Sequence, residues 1–289
     1  MTSTQHQISQ GIFSNVGFVG FVNGTSTSLN NIFVKIQIQA NHGLYIGAIT
    51  GGIYSNLWQA QNITVNESVI TGNGLLGLFS PSTQTGTIIQ SSFYSSDILA
   101  DNQDFTFQGG LIGDTQNSLI VQQCVVSDLS IFSNNTYGWS ISAGIIGDTH
   151  EYSTLIKQTI VKTSRVQSYG AVQHFVSSAG VIACVYNSIT TIQDLQVSNL
   201  NLTSSSSINS LCAGLVSKIV NQTIITTNSQ ISSIQIFGYG MPLDVGIVFC
   251  YNSQTIYNIS NTQTYGANSI NNVPITNCAN VITYSQSGC

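Results

Sequence analysis

A glycine followed by two mostly apolar residues returns along the whole chain at nearly constant intervals. The copies are Gly17-Phe18-Val19, Gly47-Ala48-Ile49, Gly77-Leu78-Phe79, Gly110-Leu111-Ile112, Gly144-Ile145-Ile146, Gly180-Val181-Ile182, Gly214-Leu215-Val216 and Gly246-Ile247-Val248. Successive glycines stand 30, 30, 33, 34, 36, 34 and 32 residues apart. A period in this range is the signature of a chain built from stacked structural units. No gap breaks the series, so residues 1–289 read as one domain. Residues 1–16 form a partial first coil, 17–271 the repeats, and 272–289 a C-terminal tail or cap.

A second pattern accompanies each glycine. Val121-x-x-Cys124-x-Val126-x-x-Leu129-x-Ile131 aligns with Ile192-x-x-Leu195-x-Val197-x-x-Leu200-x-Leu202. Leu29-x-x-Ile32-x-Val34, Ile156-x-x-Thr159-x-Val161 and Ile231-x-x-Ile234-x-Ile236 are placed in the same frame. The alternation has period two, which marks strands with one buried face, and no helical period is present. Each unit reads as about three short strands and cannot bury its own apolar face, so neighbours must stack. The expected fold is all-β: a right-handed parallel β-helix of about eight coils, roughly 38 Å long at a rise of ~4.8 Å per coil. A propeller is disfavoured, because its blades need roughly 40–50 residues.

Only 5% of the residues are charged and the net charge is −5, with five Lys and Arg in total. No basic stripe exists to meet phosphates, which excludes nucleic acid as a partner. No apolar run reaches the ~18–20 residues of a transmembrane helix. The opening stretch, Met1 to His6, has neither the charged nor the apolar region of a signal peptide. Sequons at Asn23, Asn62, Asn66, Asn134, Asn201, Asn221 and Asn258 permit N-glycosylation, although 27 Asn among 68 Ser and Thr give about this many by chance.

The unit at Gly109-Gly110-Leu111-Ile112-Gly113, followed by Ile120 and Val126, resembles the GLUG repeat of surface and adhesin-like proteins. The chain is also similar to the Ile/Ser/Asn-rich repeat proteins of some anaerobic protists. The resemblance implies a β-solenoid related in shape to the pectin-lyase superfamily, on a cell surface or in an extracellular assembly. It implies no cofactor. Copies 6 to 8 depart from the motif, with Ala183, Ser217 and Phe249 in place of the second Gly.

Asp114 and Asp148 are the candidate catalytic residues. Each follows Gly-x-x-Gly and precedes Thr, and in a β-helix they stack in adjacent coils about 5 Å apart. Two carboxyls so close raise one pKa or ask for a cation. Pectin-degrading β-helix enzymes use clustered Asp with a nearby base; here the basic cluster is Lys157, Lys162 and Arg165. The plainer reading is that Asp-Thr after Gly bonds its own turn. His6, His42, His150 and His174 share no repeat position and read as turn residues, and no metal-ligand spacing is found. Cys184, Cys212 and Cys250 read as buried thiols, while Cys278 and Cys289, past the last regular repeat where the chain is less constrained, are the candidate disulfide. Thr residues do not line up into an ice-binding face. The expected function is structural or adhesive, with end-to-end self-association or a glycan or surface protein as partner. The alternative is a polysaccharide-binding or polysaccharide-cleaving β-helix, favoured by a groove of aromatic and acidic side chains.

Overall fold

The computed structural model describes residues 4–7, 16–40, 45–102, 105–135, 138–170, 175–206, 209–220, 223–239, 243–246, 256–265, 268–271, 273–275 and 283–285. All regular structure among them is β, in three sheets of 22, eight and five strands. Parallel pairing joins each coil to the next, giving a β-solenoid of about six turns. The sequence counts eight repeats, and the first and last of them are described only in part. Around Gly17 only the isolated bridges of Val16, Val19 and Val22 form, and beyond Gly246 residues 247–255 lie outside the described chain. No helix of the described residues is long and apolar enough to cross a membrane.

One coil shows how the sequence closes. Thr106–Gly109 lies in the eight-stranded sheet and Ile112–Thr115 in the five-stranded one. Leu119–Gln122, Val125–Ser127 and Ser130–Asn135 then run through the largest sheet. The unit therefore holds five short strands rather than three. The extra breaks are corners made by residues with positive φ. Asn31, Asn62, Gln90, Gln123, Gln158, Asp194, Asn228 and Asn261 occupy one column with φ between 49° and 56°. Glu67, Ser95, Asp128, Thr163, Asn199 and Ser233 form a second, with φ between 45° and 55°.

The left-handed conformation costs an L-residue roughly 1–2 kcal/mol, so each corner needs support. The next residue turns inward; at some corners it is an apolar core residue, such as Ile63, Leu129 or Leu195, and at others it supplies a hydroxyl. Ser91, Thr159 and Ser229 donate their hydroxyls to the carbonyls of Ile89, Lys157 and Thr227 at 2.9, 3.0 and 3.1 Å. Ser96 and Ser164 do the same at the second corner, to Tyr94 and Lys162. Ser91 also accepts the N–H of Ile63 in the preceding coil, at 3.1 Å. The amide side chains of the first column continue the ladder outside, as from Asn62 to Asn31 at 2.8 Å.

The repeat glycine has a different reason. A Cβ on Gly110, Gly144 or Gly180 would stand 2.0, 2.2 or 2.1 Å from the carbonyl oxygen of the repeat glycine one coil on. The bend between the second and third sheets closes only where no side chain exists.

The core follows the expected columns. Val126 pairs with Val161 and Val161 with Val197, and all three are buried. Ile112, Ile146, Ile182 and Val216 form another buried column. Two alignments are corrected. Gly47 and Gly77 pair in one column with Gly109, and Gly246 pairs with Ala213, so these glycines stand one residue before the column of Gly110, Gly144, Gly180 and Gly214. Ile231 stacks on Val197, and Ile234 and Ile236 on Leu200 and Leu202, so this segment belongs one strand later than its placement beside Val121. The two corners carry the same apolar-x-x-small-x-apolar pattern, which makes them interchangeable by sequence.

Two substitutions check this account by shifts of the denaturation midpoint. Ile156→Ala, in a fully buried column, lowers stability by about 2–5 kcal/mol. Thr163, exposed and β-branched at φ 49°, is the least suited corner residue. Thr163→Asn raises stability by about 0.5–1 kcal/mol.

Candidate functional site: a buried acid pair beside an aromatic row

The second and third sheets are buried on both faces. Ser140–Ala143 and Ile146–Thr149, for instance, have no exposed residue. One face meets the main core. The other meets its neighbouring sheet across a seam, where Ile141, Ala143, Ala179, Ala183 and Cys184 form a separate small cluster. Ser177 and Ser217 both donate to the carbonyl of Ala183, at 2.9 and 2.8 Å. These small residues let the seam close. Phe107, Trp139, Phe175 and Tyr186 pack half-buried against it.

The acid pair reaches this seam through a skipped residue. The ladder steps from Ile112 to Asp114 and from Ile146 to Asp148 without pairing Gly113 or Gly147. Both strands skip the same position, so register is kept while the inward–outward alternation changes phase there. The resulting column reads Ser82, Asp114, Asp148, Cys184, Lys218. Beyond it, Val185 and Ile219 return to the main core.

Asp114 and Asp148 are 6% and 1% exposed. Asp148 Oδ1 accepts the N–H of Thr149 at 2.8 Å, and its Oδ2 lies 3.0 Å from His150 Nε2. Gln116 Nε2 donates to Asp114 Oδ2 at 3.4 Å. Asp114 Oδ1 is buried without a hydrogen-bond partner and stands 3.7 Å from His150 Nε2. The His150 ring stacks on Tyr186, with centroids 5.4 Å apart and planes 4° from parallel.

Burial, and then the charge of Asp148, push the Asp114 carboxyl up to about 7. Burial also raises Asp148, although His150 and Lys218 oppose it. His150 is raised in turn, chiefly by its hydrogen bond to Asp148. Burial thus disfavours charge on both carboxyls, and the imidazole opposes that effect. The donor atoms of Asp114, Asp148 and His150 all lie within 4.8 Å of one another, a spacing able to hold a metal ion. An open pocket of ≈ 450 Å³ adjoins Asp114 and His150, bounded also by Gln84, Gln116, Asn117, Glu151 and Tyr152.

A row of rings runs beside the cluster. Phe105, Trp139 and Phe175 immediately precede or begin paired strands, so they fall at one repeat position. Phe105 and Trp139 are 5.7 Å apart at 79°, and Trp139 and Phe175 6.1 Å apart at 71°. Phe105 is 55% exposed. Lys218 Nζ lies 3.9 Å from the Phe175 centroid, 4.8 Å from Trp139 and 4.9 Å from Tyr186, and it donates to the Tyr186 hydroxyl.

The structure brings together Asp114, Asp148 and His150, and it leaves out the expected basic cluster. Lys157, Lys162 and Arg165 belong to strands of the largest sheet, with Lys162 and Arg165 exposed. The cation that bears on Asp148 is Lys218, two coils on. Lys218 stands four residues after Gly214 as Asp114 stands four after Gly110, so its place was readable in the repeat. Both acids lie in strands and are buried, and Asp148 bonds the neighbouring backbone N–H of Thr149 as the plainer reading had it. Cys124, Cys184 and Cys212 are buried and free. Asn23, Asn62, Asn134 and Asn258 are exposed, and Asn66 and Asn201 half-buried. Asn221, His42, His174, Cys250, Cys278 and Cys289 lie outside the described residues. No family model, no curated protein and no solved structure matches this chain.

The acid pair sets a pH dependence. The folded Asp114 carboxyl titrates near 7 against an ordinary 3.8, so folding takes up a proton between those values. Stability present below about pH 4 is lost as pH rises toward 7, and the raised Asp148 and His150 act with the same sign. In buffer containing a chelator, wild-type protein unfolds at lower denaturant at about pH 8 than at about pH 5. Asp114→Asn flattens this difference and gains on the order of 2 kcal/mol at the higher pH. Equal wild-type midpoints at the two pH values contradict the buried pair.

Proposed function

We propose that this chain is an adhesive β-solenoid of GLUG-like type, displayed on a cell surface or in an extracellular assembly, that holds a polysaccharide along the mouth of the seam. The observation that carries this reading is the row Phe105, Trp139 and Phe175 at one repeat position, beside Asp114, His150 and Lys218. Rings repeated once per coil along a rod match a ligand that is itself a repeating chain. Their apolar faces suit the C–H faces of sugars, while the carboxyl, imidazole and ammonium groups meet hydroxyls. Lys218 ties Trp139, Phe175 and Tyr186 together, which lowers the cost of ordering them on binding.

Binding is favoured over cleavage. A glycosidase must bring both carboxyls to the scissile bond. Asp148 is 1% exposed, with its oxygens turned to Thr149 and His150. The chain's low charge and its outward amide and hydroxyl ladders suit an extracellular surface, as do the exposed sequons at Asn23, Asn62, Asn134 and Asn258. End-to-end stacking into filaments ranks second. Thr4–Gln7 pairs in parallel with Ile36–Gln39, but Val273–Ile275 and Thr283–Ser285 pair antiparallel. A contact that continues the parallel coils needs an open parallel edge at both ends.

Affinity electrophoresis through gels containing different polysaccharides tests the reading. At least one polysaccharide retards the wild type, and Trp139→Ala weakens that retardation about tenfold or more, roughly 1.4 kcal/mol. Phe33→Ala, an exposed ring on the largest sheet, leaves it unchanged. Retardation by none of the polysaccharides, or equal retardation of Trp139→Ala, contradicts it.

A further inference from the structure

We propose that Asp114, Asp148 and His150 form a binding site for one first-row divalent cation of the zinc class. The proposal stands without the glycan reading, since it uses the acid cluster and not the aromatic row.

Three observations meet at this point. Asp114 Oδ1 is a carboxylate oxygen that is buried and has no hydrogen-bond partner. Leaving such an atom unpaired costs free energy that a ligand would recover. It also faces the cluster: His150 Nε2 lies 3.7 Å from it, beyond hydrogen-bond range. Second, the coil-to-coil register forces Asp114 over Asp148, so two carboxyls share a buried site with one imidazole. A bound cation removes their mutual repulsion.

The third observation is the spacing. An ion that holds its ligands at about 2.0–2.2 Å sets neighbouring donors roughly 3.0–3.6 Å apart. His150 Nε2 already stands 3.0 Å from Asp148 Oδ2 and 3.7 Å from Asp114 Oδ1. All three donor atoms lie within 4.8 Å of one another. The pocket beside Asp114 and His150 leaves open positions on the ion for water or a ligand oxygen.

The donor set selects the class of ion. Calcium and magnesium take oxygen ligands, and an imidazole in the set favours zinc, cobalt or nickel. Binding replaces the proton that His150 Nε2 presents to Asp148, and any proton the acid pair holds, with the metal. Protons are therefore released to solvent as the ion enters.

The test uses the full chain stripped with a chelator and then titrated with Zn²⁺ by calorimetry in two buffers of different ionisation enthalpy. Co²⁺ serves as a spectroscopic substitute. The wild type takes up one ion per chain, releases protons and shows visible Co²⁺ absorption. Asp114→Asn and His150→Gln, each confirmed folded by circular dichroism, bind at least about 100-fold more weakly. Lys35→Gln, whose partner Glu67 is on an exposed surface, keeps wild-type affinity. No Zn²⁺ uptake by the wild type overturns the proposal. So does unchanged affinity in both ligand variants, which places the ion elsewhere in the chain. Ca²⁺ held as tightly as Zn²⁺ overturns the assigned class.

Discussion

The register between coils is the constraint on which everything else rests. Each coil finds backbone partners only in the coils above and below, and parallel pairing in register puts every side chain over its counterpart. Register survives along the rod because each coil turns at the same places. The two columns of left-handed residues fix those corners, and inward Ser and Thr hydroxyls support several of them. Where the repeated residue is Val or Ile, stacking like over like builds a core. Where it is Asn or Gln, it builds an external amide ladder.

The same constraint creates the chemistry of the seam. Nothing in stacking distinguishes an aspartate from a valine, so Asp114 lies over Asp148 although like charges repel. In a water-facing column the repulsion would be screened. Here the skipped glycines Gly113 and Gly147 turn the pair into a seam sealed by alanines and serines, and burial then dominates both carboxyls. His150 and Lys218 enter as counter-charges from the same and later coils. The aromatic row obeys the same rule: Phe105, Trp139 and Phe175 are neighbours because their positions in the repeat are equal.

The stacked core was legible in the sequence because apolar alternation reports register directly, while glycine spacing reports it only to within one residue. The adjacency of Asp114 and Asp148 was legible for the same reason. Three features were not. The five-strand coil was hidden because corner residues such as Gln158 and Thr163 carry no turn signature; their positive φ is imposed by the inward residue that follows and by pairing with the next coil. The shift of Ile231 was hidden by two corners with one pattern. The seam was hidden because simple alternation from Ile112 would send Asp114 inward, and only the unpaired Gly113 sends it elsewhere. With it went the role of Lys218, whose position in the repeat was visible but whose neighbours across the seam were not.

The most direct test of coil stacking is a distance measured across several coils. Ser92 pairs with Val125, Val125 with Ile160, Ile160 with Gln196 and Gln196 with Gln230, so Ser92 and Gln230 stand four steps apart on one column. Nitroxide labels on cysteines at these two positions, in a chain whose native cysteines are replaced, report their separation by pulsed electron resonance. In-register stacking predicts one narrow distribution centred on the backbone separation of about 19 Å, allowing for the label arms. A broad distribution, or one centred beyond about 30 Å, contradicts the register and with it the placement of Asp114 over Asp148.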